Sequence, residues 1–305
     1  VGCDFPAAAY RSEERNENGK RPLIFMTKGS LMGVLGKIDI PCGKCTGCRL
    51  DRANQWKARL MHERQFHDYS CFLTLTYSPE AMPVSHSLVK PDFQNFMKRY
   101  RAHSEYHYNQ KLRFYACGEY SPLNLHPHYH AIIFGHDFPD KIHHSTKNNK
   151  KLYTSPTLSS LWPHGFSTIG SVDPQSCGYV ARYTLKKMGG PKADPHYFRQ
   201  SPVDGNSYRV EPEFSLMSTR PGIGSAWIDK YKTDVYPSGF IVIDGKPQPA
   251  PRFYKLRLTK EEQEHLKRQA SQKGLPKSEK TNWRRDQRAR VRDARIQNLK
   301  RNLGD

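Results

Sequence analysis

The chain has 305 residues, enough to bury a full hydrophobic core as one large domain or two small ones. Its 49 Lys and Arg against 29 Asp and Glu leave a formal net charge of +20, which points to a polyanionic partner, nucleic acid first, although basic charge also serves plain solubility. No run approaches the ~20 apolar residues of a membrane span. The first residues hold no apolar signal core, and seven cysteines, an odd number, speak against a disulfide framework; a soluble, intracellular protein is expected.

Residues 1–41 read as irregular, with a short strand-like piece around "PLIFM". "PCGKCTGC" then runs into a helix, "RLDRANQWKARLMHERQFHD", in which Leu50, Ala53, Trp56 and Leu60 recur at helical spacing. Arg49, Arg52, Lys57 and Arg59 give that helix a basic flank. "CFLTLTY" (71–77) alternates and reads as a strand. "KPDFQNFMKRYRAH" is a helix with Pro91 in its first turn.

"KLRFYACGEY" (111–120) is a strand, and "HYHAIIFG" from His128 is another, apolar on both faces after its histidines. A basic, His-rich loop (136–151) leads to a short helical piece near Leu158–Trp162 and a strand in "GFSTIGSV". "DPQSCGYVARYTLKKMGG" is a helix with Asp173 as N-cap and lysines in its last turn. The order of elements suggests an α+β fold, a mainly antiparallel central sheet with helices on one face.

Residues 189–255 are Pro- and Gly-rich. From Arg252 onward 17 Lys and Arg stand against 7 Asp and Glu, so half of the net charge sits in the last 54 residues. "TKEEQEHLKRQASQK" opens on a capping box, Thr259 and Glu262, and a long basic helix follows. Four segments are expected: a Cys-rich element and basic helix (1–68), a core (69–190), an extension packed on it (191–255) and a basic helical tail (256–305).

Three constellations carry chemistry. Residues two apart on a strand share a face, so His128 and His130 project together; lone strand histidines are usually packing or surface residues, but a pair beside a buried run suits a metal. If 112–119 and 128–135 form a hairpin, Glu119 joins them, and two imidazoles plus a carboxylate leave open positions on a divalent ion. His126 belongs to the preceding loop. Tyr179 and Tyr183 stand one helical turn apart with Lys186 three residues on, either an aromatic stripe packed on the sheet or a pair of activatable phenols. Cys42, Cys45 and Cys48 resemble half of a structural zinc site with Cys3 as the fourth ligand, a redox pair or plain thiols being the alternatives. Cys71, Cys117 and Cys177 read as small core residues.

His128-Tyr129-His130, Glu119 and Tyr179-x-x-x-Tyr183-x-x-Lys186, with "FLTLTY" upstream, resemble the HUH endonucleases that start rolling-circle replication. More narrowly, "PCGKCTGCRLDRANQW", "CGEYSPLNLHPHYHAIIFG", "YVARYTLKK" and "STRPGIG" are similar to the replication initiators of gokushoviruses, over residues 42–224. The resemblance implies a tyrosine attack on single-stranded phage origin DNA, Tyr183 first, with Mn2+ or Mg2+ held by Glu119, His128 and His130. It also implies a 5′-phosphotyrosine, a 3′-OH for a host polymerase, a host helicase, and residence in the host bacterial cytoplasm. No GxxxxGK[ST] stretch is present and no nucleotide cofactor is expected.

Phosphate contacts are expected from the basic flank of the first helix and from Lys187, Arg284, Arg285 and Arg288. Trp283 among them is a base-stacking residue or a packing anchor. The charged tail is equally a solvated segment. A plasmid initiator or a transposase of the same superfamily is the nearest alternative. A non-catalytic DNA-binding or packaging protein with a zinc module is the alternative from another class.

Overall fold

A computed structural model describes residues 2–25, 33–122, 124–147, 149–183, 193–200, 205–236, 238–272 and 281–297. In chain order the elements are β1 (Ala7–Ser12), β2 (Leu23–Ile24), β3 (Val34–Ile40), α1 (Thr46–Arg64), β4 (Ser70–Thr76), α2 (Lys90–Tyr108), β5 (Arg113–Tyr120) and β6 (Pro127–Phe134). They continue as β7 (Ile142–Lys147), β8 (Lys150–Thr154), α3 (Pro156–Leu161), β9 (Ser167–Gly170), α4 (Pro174–Tyr183), α5 (Ala193–Tyr197), β10 (Phe198–Gln200), β11 (Ser207–Arg209) and β12 (Phe214–Met217). The last are α6 (Ser225–Val235), β13 (Phe240–Ile243), β14 (Lys246–Pro249), α7 (Arg252–Lys255), α8 (Lys260–Gln272) and α9 (Asn282–Gln297).

The chain divides into two units, 1–51 with 273–300, and 52–272 with 301–305. In the first, β2, β1 and β3 form an antiparallel sheet where an irregular stretch was expected. Its strands are short and largely exposed, so they carry little of the alternation that marks a half-buried strand. Asp4 anchors this unit. It accepts the Gly47 N–H at 3.0 Å and pairs with Arg292 of α9.

The second unit is built on a seven-stranded antiparallel sheet of order β12-β5-β6-β4-β9-β8-β7. Every residue of β6 is buried, so neither of its faces tolerates water, and each needs a cover. On one face Leu73, Tyr129, Ala131 and Ile133 pack on Phe93, Phe96, Met97 and Tyr100 of α2 and on Trp162. On the other, Tyr115, Ile132 and Phe134 pack on Leu60 of α1 and Cys177 and Val180 of α4. The helices therefore lie on both faces, not one.

Another expectation is overturned at 136–151. That loop contains β7 and half of the β7–β8 hairpin, which extends the sheet beyond β9. Polar edge strands have no buried face to write an alternating pattern. The caps behave as read. Asp173 Oδ1 accepts the Gln175 and Ser176 N–H groups at 2.8 and 2.7 Å, and Thr259 and Glu262 bond reciprocally at the start of α8. Cys71, Cys117 and Cys177 are buried.

His62 of α1 is fully enclosed, stacked on Trp227 at 3.5 Å between ring centroids and hydrogen-bonded to the Tyr254 hydroxyl at 2.8 Å. Burial lowers its pKa to about 4. The unfolded chain takes up a proton near pH 6.5 and the folded chain only near 4, so stability is full above 6.5 and falls as pH drops between those values. The loss should approach about 3 kcal/mol. Urea denaturation at pH 7 and pH 4.5 should show a smaller drop for His62→Gln than for the parent; equal drops would remove His62 as the cause.

Candidate functional site

The site follows from register. Glu119 is the direct cross-strand partner of His128, and Cys117 of His130, in the β5–β6 hairpin. Across the other edge of β6, Thr76 opposes His128 and Thr74 opposes His130. Alternation thus sets Glu119, His128, His130 and Thr74 on one face, within one step of the sheet's end. His128 Nε2 lies 2.8 Å and His130 Nε2 3.0 Å from the same oxygen, Glu119 Oε1. All three residues are buried.

Burial by itself pushes the Glu119 carboxyl up. The hydrogen bonds and charges of His128 and His130 outweigh it and bring the group down to about 2, so it is a carboxylate at any working pH. The far nitrogens of the rings are also held. His128 Nδ1 is 3.2 Å from the His126 carbonyl oxygen, which can only accept, so Nδ1 donates there and Nε2 is the nitrogen turned to the site. His130 Nδ1 is 3.1 Å from Thr74 Oγ1. Two oriented imidazole nitrogens and one ionised oxygen, all within 4.8 Å of one another, fit a divalent cation.

Tyr179 comes from α4, whose Cys177 and Val180 are buried against the sheet and set the rotation of the helix. Its hydroxyl lies 3.5 Å from His130 Nε2, the rings edge to face at 5.1 Å. Tyr183 ends α4 one turn further on; its side chain, like Lys186 and Lys187, lies outside the described residues. His126 stays in the loop, contributing its carbonyl rather than its ring. The residue that sequence reasoning missed is Thr74: a hydroxyl in the middle of a buried strand pattern was the only signal for it.

The cysteines of the first unit form a second group. Cys3, Cys42, Cys45 and Cys48 offer four sulfurs within 4.8 Å of one another, with Cys3 Sγ and Cys45 Sγ 3.8 Å apart. Tetrahedral zinc with Zn–S of about 2.3 Å has an S–S edge of about 3.8 Å, so the donor set fits. The backbone N–H groups of Cys42, Asp4 and Cys45 donate to Cys3, Cys45 and Cys42 sulfurs at 3.2, 3.3 and 3.3 Å. Burial raises Cys42, but the N–H groups of Cys45 and Lys44 outweigh it and lower the thiol to about 7. Cys48 is pushed up to about 12, mainly by burial.

The basic residues are not equivalent. Arg59 has a packing role, its guanidinium between the Trp56 and Phe253 rings at 4.0 and 3.9 Å and donating to the Ile223 carbonyl. Lys57 pairs with Asp244 at 2.5 Å, and Arg285 pairs with Asp39. Arg52 and Arg284 are exposed, Arg49 and Arg288 half-buried. Trp283 is exposed, with the Arg284 guanidinium 5.8 Å from its ring. A broad basin of about 1,180 Å3, lined by Lys98, Arg101, Lys111 and Arg220 among others, lies at the end of β5 opposite Glu119 and holds none of these groups.

Six of the sheet's seven strands, β4 to β9, and its buried Glu-His-His group lie within residues 70–188, which match the family of replication-associated proteins ORF2/G2P. The chain belongs to the replication-associated proteins. It is 32% identical over 243 residues to replication-associated protein VP4 of Bdellovibrio phage phiMH2K, covering 78% of this chain and 72% of that protein. It is 31% identical over 240 residues to replication-associated protein ORF2 of Spiroplasma virus 4, with coverage of 74% and 70%. Replication-associated protein ORF4 of Chlamydia phage 1 is 29% identical over 234 residues, 72% of this chain and 54% of that protein. No solved structure matches the chain. Among the described residues no helix is long and apolar enough to cross a membrane.

Proposed function

We propose that this chain is a metal-dependent, HUH-type enzyme that nicks and rejoins single-stranded phage DNA at a replication origin. The observation that carries the reading is the convergence of Glu119, His128 and His130 on one point, with the Tyr179 hydroxyl 3.5 Å from His130 Nε2. A buried carboxylate between two imidazoles adds nothing to the core that an apolar trio would not, and a phenol beside it supplies a nucleophile.

In the reaction a tyrosine oxygen bonds to phosphorus as the bond from phosphorus to the 3′ oxygen breaks. The phenol proton is balanced by the one taken up at the 3′-OH, and the phosphate stays on the 5′ side as a phosphotyrosine. The phosphodiester's free energy is kept in that linkage, so rejoining needs no nucleotide cofactor. Glu119, His128 and His130 would hold Mn2+ or Mg2+, which supplies Lewis-acid polarisation of the phosphate. Tyr183 is the first nucleophile in this reading and Tyr179 the second, with Lys186 supplying positive charge beside them. Arg49, Arg52, Lys187, Arg284 and Arg288 bind phosphates. The host's helicase and polymerase act on the opened strand, in the bacterial cytoplasm. Cys3, Cys42, Cys45 and Cys48 hold a structural zinc.

The test is a pooled single-stranded DNA library with Mn2+, read on a denaturing gel. A slower band that survives boiling in detergent and needs the ion supports the reading; DNA binding with no adduct under any divalent ion removes it. Thr74 offers a finer check. Thr74→Val takes away the hydroxyl at His130 Nδ1, and loss of such an orienting partner typically costs about 10- to 100-fold in metal affinity. Titration calorimetry with Mn2+ should show it in a folded variant; unchanged affinity would leave Thr74 no orienting role.

A further inference from the structure

Among the described residues, α1 and α4 cover the β5–β6 part of the sheet face that carries the Glu-His-His group and leave its β9–β8 part open. Beyond Tyr179 it continues as a groove of about 330 Å3, lined among others by Phe72, Thr74, Thr168, Lys151, His144 and Phe166. That is at the lower end of small-molecule sites, ~300–1,000 Å3. We propose that this groove seats a nucleotide of the single strand next to the scissile phosphate, with its base against Phe166 and His144 and a phosphate on Lys151. The proposal rests on the nicking reading for its place along the DNA, but not for the binding itself.

Two rows of cross-strand partners lead from the metal-type ligands into the groove. One runs from His130 through Thr74 to Thr168. The other runs from Glu119 through His128 to Thr76, whose N–H and Oγ1 both donate to the Phe166 carbonyl at 2.9 Å. Phe166 therefore stands about 10 Å, two strand spacings, from the His128 backbone. The threonines give this part of the face hydroxyls where the neighbouring Ile132 and Phe134 of β6 are apolar.

Phe166 is half exposed, yet its backbone is clamped. The preceding Gly165 lies so close to the end of β4 that a Cβ would come within 2.2 Å of the Ser78 nitrogen. A half-exposed ring on a clamped backbone offers the groove a fixed aromatic face. His144 is the second anomaly. The β7–β8 register shifts between His143 and Ser145, so His144 is the extra residue of a bulge, and bulges re-aim side chains. Here the bulge leaves the imidazole 5.2 Å from the Phe166 ring, tilted by 57°, leaving an aromatic corner open to the groove. Lys150 is tied to Asp173 at 2.7 Å, while Lys151 also lines the groove. Aromatic faces with an adjacent cation recognise bases of any sequence by stacking and phosphates by charge.

The experiment is fluorescence anisotropy of the full chain with a labelled ten-nucleotide oligothymidylate and no added divalent ion, so that binding is read apart from ion-dependent cleavage. Phe166→Ala should weaken binding about 10-fold, and Phe166→Trp should restore it, which a purely structural defect would not allow. Lys151→Ala should lower the slope of log K against log salt by about 0.7. Phe240→Ala removes another exposed ring and should leave binding unchanged. Phe166→Ala and Lys151→Ala both binding like the parent would overturn the subsite. The nicking reading fails separately: a chain that shows the Phe166 effect without added ion but whose parent forms no adduct with any divalent ion keeps the groove and loses the chemistry.

Discussion

Replacing both Tyr179 and Tyr183 by phenylalanine is expected to abolish the detergent-stable protein–DNA adduct completely. In the proposed reaction the phenol oxygen is the atom that enters the phosphodiester, and phenylalanine has no atom to take its place. Phenylalanine keeps the ring that packs edge-on against His130 and Phe72, so circular dichroism should be unchanged. The single variants separate the two roles. Tyr183→Phe should lose the first nick on an intact strand, whereas Tyr179→Phe should nick once and fail to pass the strand on. If Tyr179→Phe loses the first nick instead, the order is reversed, and the 3.5 Å approach of Tyr179 to His130 then marks the first nucleophile. An adduct of undiminished yield from the double variant would sink tyrosine catalysis altogether.

The second large effect is expected from the cysteines. Zinc bound by four thiolates contributes folding free energy directly, about 10 kcal/mol or more in small zinc modules. A unit of short strands with few buried apolar residues has little else to hold it. The purified chain should carry one zinc by elemental analysis. Cys45→Ser should lose it and, with it, protease resistance in residues 1–51, while the sheet of the second unit persists. Cys45 is the residue of choice because its sulfur lies 3.8 Å from that of Cys3 and accepts the Asp4 N–H. Ligands must shed their protons, Cys48 from a thiol pushed up to about 12, so zinc retention under a fixed chelator should improve as pH rises. A chain free of metal and indifferent to chelators would leave the four sulfurs as plain thiols.

Much of the core was legible in the sequence because it depends on strand periodicity and short connections. Ala131 to Phe134 are apolar on both faces, which reads as a central strand, and the short loop after 120 suits a hairpin that returns it beside β5. That hairpin brings Glu119 near His128, and the structure pairs the two directly. The caps at Asp173 and Thr259 were legible for the same reason: they are local bonds between residues three apart or fewer. The β7–β8 hairpin, the strands of the first unit and the helix cover on the second sheet face were not. Polar edge strands and exposed strands bury too little to write a pattern.

Residue roles divide in the same way. Arg59 reads as one more basic residue on a helix flank, and only Phe253, far along the chain, turns it into a packing group. Thr74 reads as an alternating strand residue until His130 is found beside it in the sheet.

By itself, then, the sequence determined the chemistry available: two imidazoles on one strand face with a carboxylate on the strand before, two phenols one turn apart, three cysteines at metal-ligand spacing, and a charge that points to a polyanion. Tertiary structure alone decided which of these atoms meet, that Thr74 stands beside His130, and that the face with the Glu-His-His group opens into a groove ending at Phe166 and His144. The physical reason is range. Periodicity and capping act over a few residues and are written in the chain, whereas strand order, bulges and the covering of a sheet face come from packing between segments up to a hundred residues apart or more.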